Sequence, residues 1–204
     1  MKDVNLQETA VSSEADNQEQ QATLTQRLLM LVVAAIVIAI DHLTKLLVEA
    51  TLPLYHSWAP FPALALFFRI THVTNTGAAF GLFSGNSLIF AGVAVLVTLV
   101  ILYYNYTLPY GQGWLRVALG LQLGGALGNL IDRIRLGHVT DFFDFGFWPV
   151  FNVADTAIVA GAILLAWLMW QESRQETVDL PEEKAVETGV ETAETETQDG
   201  WSAY

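Results

Sequence analysis

Apolar positions along the chain gather into four long runs. Residues 28–48 read LLMLVVAAIVIAI, then Asp41 and His42, then LTKLLV; residues 87–104 read SLIFAGVAVLVTLVILYY, without a charge. Residues 114–131 read WLRVALGLQLGGALGNLI, and residues 151–170 read FNVADTAIVAGAILLAWLMW. Each is close to the roughly 20 residues that a helix needs to cross a bilayer's hydrocarbon. The second run is apolar on all faces, which disfavours a soluble bundle of amphipathic helices. The first follows a long acidic segment and has no small-residue cleavage site after it, so it reads as an uncleaved anchor. The predicted fold is an all-α polytopic membrane protein, a bundle of four transmembrane helices.

Two segments between the runs have other patterns. Residues 64–75, LALFFRITHVTN, alternate partially and hold β-branched residues, predicting a short strand or hairpin, with an interfacial helix as the alternative. Residues 142–151, FFDFGFWPVF, pack aromatics around one acid, as in a loop resting at a membrane boundary.

Charge divides the chain into three. The sequence carries a net −12, but the middle, residues 27–171, has six acids against six bases. The excess lies in the first 26 residues, with five acids to one lysine, and in residues 172–204, with ten acids to Arg174 and Lys184. Both ends are poor in apolar residues, so 1–26 and 172–204 are expected to be disordered acidic tails around a membrane domain at 27–171. The charge therefore indicates no nucleic-acid partner. With no cysteine, disulfides, thiolate nucleophiles and cysteine metal sites are excluded.

The polar residues of the runs fall at particular ends. Asp41, Thr44 and Lys45 close the first run; Asn129, Asp132 and Arg133 close the third; Asn152 and Asp155 open the fourth. If four helices cross in turn, all three ends and the connections 49–86 and 132–150 share one side of the membrane. The other side receives the connection at Pro109 and both tails. Five bases on the tail side against four on the crowded side lean only slightly toward cytoplasmic tails.

Ionisable groups inside a membrane span are costly and mark functional sites more often than helix glue. Asp155 has an apolar helix running on beyond it, and Asn152 at i−3 shares its face and can donate to it. Asp141, an acid of the loop that returns the chain toward Asp155, gains its interest from that position. Two carboxylates in a partly dry site hold a single proton between them, so one can activate a water while the other polarises a scissile carbonyl. Asn129 and Asp132, again at i and i+3, read as structural support, and Arg133 is able to hold a carboxylate or a substrate carbonyl. Asp41 and Lys45 at i and i+4 are equally a plain intrahelical pair or a brace for the site. The four histidines are scattered without HExxH spacing, so neither a metal nor a cofactor is expected. A Ser–Lys dyad would need Lys45 with Ser57, Ser84 or Ser87, none of which any motif singles out. The NTGAAFG segment, 75–81, is either a tight turn or a set of backbone groups that grip an extended substrate.

Taken together, Asp41-His-Leu-Thr44-Lys45, Asn75-Thr-Gly77-Ala-Ala-Phe80-Gly, Gly128-Asn129-Leu-Ile-Asp132-Arg133, Gly137-His-Val-Thr-Asp141-Phe142 and Phe151-Asn152-Val-Ala154-Asp155 resemble the lipoprotein signal peptidase family, signal peptidase II. Each motif alone is weak, but five in order across residues 27–171 are specific. The resemblance implies an intramembrane aspartic endopeptidase of the bacterial cytoplasmic (inner) membrane, with both tails cytoplasmic and its site facing outward beneath a small extracytoplasmic β-element. It implies lipidated prolipoproteins as substrates, cleaved before a diacylglyceryl cysteine, with membrane lipid as surroundings and a monomer as the working unit. It makes Asp141 and Asp155 the catalytic pair, Asn152 and Arg133 its close supports, and Asp41, Lys45, Asn75, Gly77, Asn129 and Asp132 site-shaping residues. Thr140 departs from the family, which often has an aliphatic residue there. A proton-coupled transporter and a scaffold with acids as helix glue are the rival classes; the tail-side halves of the runs lack the polar residues that a proton pathway needs.

Overall fold

The computed structural model describes residues 22–77 and 86–179. Residues 78–81 of the NTGAAFG segment, Ser84, and the tails before residue 22 and after residue 179 lie outside the described residues. The chain divides into two compact units, Met1–Leu164 and Leu165–Tyr204.

The order of elements is α1 (Leu24–Thr51), β1 (Ser57–Trp58), a 3-10 turn (Pro62–Leu64), β2 (Arg69–Asn75), α2 (Ser87–Thr107), α3 (Gly113–Leu136), β3 (Val139–Asp144) and α4 (Val153–Asp179). Each apolar run is thus a helix. Thr23 caps α1, its hydroxyl accepting from the Gln26 N–H at 3.4 Å, so the helix starts inside the segment assigned above to the tail. α4 likewise runs past residue 171. Among the described residues three helices, α1, α2 and Val153–Arg174 of α4, are long and apolar enough to cross a membrane. α3 has the length at 24 residues but is not among the three, because it carries Arg116, Gln122, Asn129, Asp132, Arg133 and Arg135. The protein is a membrane-embedded, multi-pass, mostly helical chain with a small sheet.

Within the first unit the helices are packed as hydrocarbon solvent dictates, with small and polar groups inside and large apolar ones outside. α1 buries Met30, Ala34, Val37, Asp41, Lys45 and Val48, a single stripe at three- and four-residue spacing, and exposes Ile36, Ile40, Leu43 and Leu47. α3 buries twelve residues, four of them glycines. A Cβ at Gly124 would lie 2.6 Å from the Val37 Cβ, and one at Gly125 would run into the Ala154 carbonyl, so α3 meets α1 on one side and α4 on the other at near-backbone distance. Gly137, in the left-handed region at φ 78°, ends α3 with its N–H on the Arg133 carbonyl at 3.1 Å.

The sheet is antiparallel, in the order β1-β2-β3. β2 is the strand expected from the alternation of 64–75, beginning only at Arg69 because Pro62–Leu64 form the 3-10 turn. β3 was not expected: Asp141 stands in a strand, paired with Val73, and not in a loop. The aromatic run hid this strand, because Phe142 and Phe143 in succession break the two-residue alternation while β3 is buried along nearly its whole length. After β3 the chain folds back so that Phe143 and Phe151 exchange backbone hydrogen bonds at 2.7 and 3.2 Å. Phe145 stacks on Phe151 at 5.8 Å and tilts against Phe68 at 5.2 Å. That closure delivers the start of α4 beside Asp141.

Described by itself, the second unit is the continuation of α4 from Leu165, with Trp167, Met169 and Trp170 exposed and the Arg174 guanidinium 4.4 Å above the Trp170 ring.

Candidate active site

Asn152 precedes the first turn of α4, and its contacts explain how that turn is held. Its side-chain oxygen accepts from the Asp155 N–H at 2.9 Å, while Asp155 Oδ2 accepts from the Asn152 N–H at 3.2 Å. This reciprocal pair satisfies two backbone donors that a helix start otherwise leaves open, with Asp155 as the third residue of a capping box. A third donor, the Ala154 N–H, is taken by Asp41 Oδ1 of α1 at 2.9 Å. The sequence reading had the Asn152 side chain donating to Asp155. It donates elsewhere, to Asp141 Oδ1 at 2.7 Å and Asn129 Oδ1 at 3.1 Å, because its oxygen is committed to the cap.

Asp141 and Asp155 are therefore joined through one residue. Each carboxylate also receives an amide from another element: Asn75 of β2 donates to Asp141 Oδ2 at 2.9 Å, and Asn129 of α3 donates to Asp155 Oδ1 at 2.7 Å. Neither amide is free to turn over. The Gly77 N–H occupies Asn75 Oδ1 at 2.9 Å, and Lys45 Nζ occupies Asn129 Oδ1 at 3.0 Å. Both partners are donors, so the amide nitrogens must face the carboxylates. Burial and the nearby Asp155 carboxylate push the Asp141 carboxyl up to about 7, against the opposing hydrogen bonds of Asn75 and Asn152 and the charge of Lys45.

Beneath this layer, Lys45 is 1% exposed and lies 2.8 Å from both Asp41 and Asp132. The pair left open as an intrahelical ion pair is a brace across two helices: Asp41 reaches the α4 start, Asp132 reaches the Thr140 N–H at 3.4 Å, and Lys45 holds Asn129. Arg133 donates to the carbonyls of Asn129 at 3.2 Å and Gly77 at 3.5 Å and sits 5.5 Å from the Phe90 ring. Among the described residues its Nε has no hydrogen-bond partner and it forms no ion pair within 4.0 Å.

A groove of about 860 Å³ opens over the two aspartates, between α2, α3, α4 and the Trp148–Phe151 stretch. Asn75, Gly77, Asn129, Arg133, Asp141 and Asp155 line it; Asp41, Lys45, Asp132 and Asn152 stand behind it. Two contributors were missed in the sequence. Glu49, one helical step past Lys45, accepts the Thr140 hydroxyl at 2.6 Å and ties α1 to the strand of Asp141. Gln122 lines the groove seven residues before Asn129, on the same face of α3. In both cases the signal was helical spacing from a residue already singled out. Among the described residues no cluster of His, Asp and Glu has the makings of a metal site.

A family model described as signal peptidase (SPase) II matches residues 33–171. The chain belongs to the signal peptidase II family. A lipoprotein signal peptidase of Moorella thermoacetica is 48% identical over 137 residues, covering 67% of this chain and 89% of its own length. One of Halothermothrix orenii is 43% identical over 143 residues, covering 70% of this chain and 96% of its own. A bacterial membrane enzyme solved by the in meso method at 2.3 Å shares the fold with a TM-score of 0.69 and 27% identity, over 80% of this chain and 98% of the other. Another, at 1.9 Å, gives 0.64 and 29%, over 74% and 96%. Membership in signal peptidase II makes the protein a protease of the aspartic type. It does not extend to the acidic ends, which lie beyond the matched residues.

Proposed function

We propose that this protein removes the signal peptide from diacylglyceryl-modified prolipoproteins, cutting before the lipidated cysteine, with Asp141 and Asp155 as the catalytic residues. The observation that carries the reading is the joining of the two carboxylates through Asn152 beside a largely apolar groove. The shared proton rests on Asp141, the more deeply buried of the two, whose carboxyl is pushed up to about 7. Its O–H polarises the scissile carbonyl while Asp155 draws a proton from the attacking water. The water oxygen bonds to the carbonyl carbon, and the tetrahedral species then collapses. The C–N bond breaks, the departing cysteine nitrogen takes the proton that Asp155 drew from the water, and the signal peptide leaves with a new carboxyl group. Arg133, whose side chain lines the groove, is placed to hold the substrate carbonyl.

The same reading makes α3 a fourth span, lined inward with polar groups and wrapped by the other helices. It places the chain in the bacterial inner membrane as a monomer, both tails cytoplasmic and the sheet outside. The exposed Phe61, Leu66, Phe67 and Phe147 near the sheet suit contact with lipid.

The test is cleavage by the purified protein, in lipid vesicles, of a synthetic prolipoprotein segment with and without diacylglycerol on its cysteine. Release of a fragment beginning at the lipidated cysteine, from the lipidated substrate alone, is expected; cleavage elsewhere, or equal cleavage of both, overturns the reading.

A further inference from the structure

The polar residues of the groove are not spread evenly. Asn75, Asn129, Arg133, Asp141 and Asp155 crowd its mouth and bond mostly to one another, and Thr156 donates back to the Asn152 carbonyl at 2.9 Å. Gln122 stands apart from them. It lies seven residues before Asn129 on α3, a rise of roughly 10 Å. The facing helix agrees: Gln122 packs beside Gly161, where a Cβ would come within 2.8 Å of its Cγ, and Gly161 is six residues, roughly 9 Å, beyond Asp155. Around that level the groove is walled by Val97, Ile158, Val159 and Ile163, the last two more than half exposed, so it opens sideways to the surroundings of the helices. Gln122 is half-buried, and none of the hydrogen bonds among the described residues involves its carboxamide.

The Gln122 carboxamide is set among apolar groove walls, so a substrate that fills the groove covers it and must answer its hydrogen bonds or leave it unsatisfied. The chemistry of the answer is restricted. A carboxamide presents an acceptor and donors side by side, the complement of a peptide group. A helical segment of a substrate has its peptide groups already bonded to one another, whereas an extended one offers them. At about 3.3–3.6 Å per extended residue, the distance from the aspartates to Gln122 spans about three residues.

We infer that Gln122 is a specificity-determining contact that pairs with the backbone of the unwound substrate segment, about three residues before the scissile bond on the signal-peptide side. The inference rests on the peptidase reading above. It requires that unwinding extend that far into the groove, and that Gly161 keep the space in which the Gln122 side chain lies.

The experiment uses the full chain in lipid vesicles with a lipidated substrate series, in which single peptide bonds at the second, third and fourth positions before the cleavage site are replaced by esters. The expected result is a loss of about tenfold in kcat/KM at one of these positions with the wild-type protein. Gln122→Leu and Gln122→Met should show a similar loss on the all-amide substrate, through KM with kcat held, and no further loss with the ester at that position. Wild-type behaviour of both variants on the all-amide substrate overturns the inference. So does an ester penalty that is the same in wild type and variants at every position, or a flat ester scan in the wild type should the variants fail to fold. Failure of the wild type to cleave the all-amide substrate overturns the peptidase reading instead.

Discussion

Asn152 donates its side-chain amide to Asp141 at 2.7 Å while its remaining polar groups cap the helix that bears Asp155. One residue thus sets both the helix start and the spacing of the two acids. Asn152→Ala should lower stability by about 1 kcal/mol, the usual worth of a helix N-cap. It should lower kcat by about 100-fold or more, as expected when catalytic groups lose their alignment. Thermal unfolding and turnover on one preparation check this; a loss of stability with kcat unchanged would mean that Asn152 serves the cap alone.

Asp141 gives a prediction in pH. Its carboxyl is raised from 3.8 to about 7, so the folded state binds this proton more tightly than the unfolded chain does. The associated stability is fully present below pH 4 and is lost as pH rises to about 7, with an upper bound of about 4 kcal/mol. Asp141→Asn removes that dependence, so its melting temperature should fall less than that of the wild type between pH 5 and pH 8. The same proton is needed for carbonyl polarisation, so wild-type kcat/KM should decline on the alkaline side with a midpoint near pH 7. Parallel melting curves for both proteins, with a flat rate profile through pH 8, would refute the assignment.

Lys45 neutralises two buried acids and orients Asn129. Lys45→Met leaves Asp41 and Asp132 buried without their cation, a change that typically costs about 3–5 kcal/mol. Adding Asp41→Asn and Asp132→Asn should restore much of the stability but not the rate, because Asn129 would keep only the Asn152 amide on its oxygen and would be held less firmly against Asp155. Measuring unfolding and turnover in the single and triple variants separates the two roles. Recovery of both in the triple variant would reduce Lys45 to a structural ion pair.

Asp144, at the far end of β3, has the opposite sign. Burial raises its carboxyl, but hydrogen bonds from Arg69, Thr71 and the Gly146 N–H outweigh this and hold it below the ordinary value. It therefore stabilises the sheet above about pH 4 and ceases to do so as the solution is acidified. Arg69→Met should bring the acid unfolding midpoint to higher pH, by a modest amount because Arg69 is 42% exposed. An unchanged midpoint would remove Arg69 from that balance.

How much of this was legible in the sequence depended on the kind of signal. The helices followed from apolar runs of membrane length, and the grouping of Asp41, Lys45, Asn129, Asp132 and Asp155 followed from the ends at which they stand. What failed was local. Asp141 looked like a loop acid because consecutive phenylalanines concealed a strand buried on both faces. The partners of Asn152 were misassigned because i and i+3 spacing describes a helix interior, whereas Asn152 is a cap whose oxygen turns inward and whose nitrogen is left for Asp141. α3 read as a span like the others, yet its inward polar load separates it from the three helices apolar enough to cross a membrane. Gln122 and Glu49 carried no motif, and only the facing elements give them meaning.

The central claim is that Asp141 and Asp155 act as one unit with one proton and one water. Its most direct test is turnover of a diacylglyceryl-modified substrate by Asp141→Asn, Asp155→Asn and the double variant, each in lipid vesicles with substrate binding measured alongside. The account predicts that each single change lowers kcat by about 10³-fold or more with binding retained, and that the double change costs little beyond either single one. A single variant that keeps a tenth of wild-type turnover, or losses that multiply in the double variant, would contradict it.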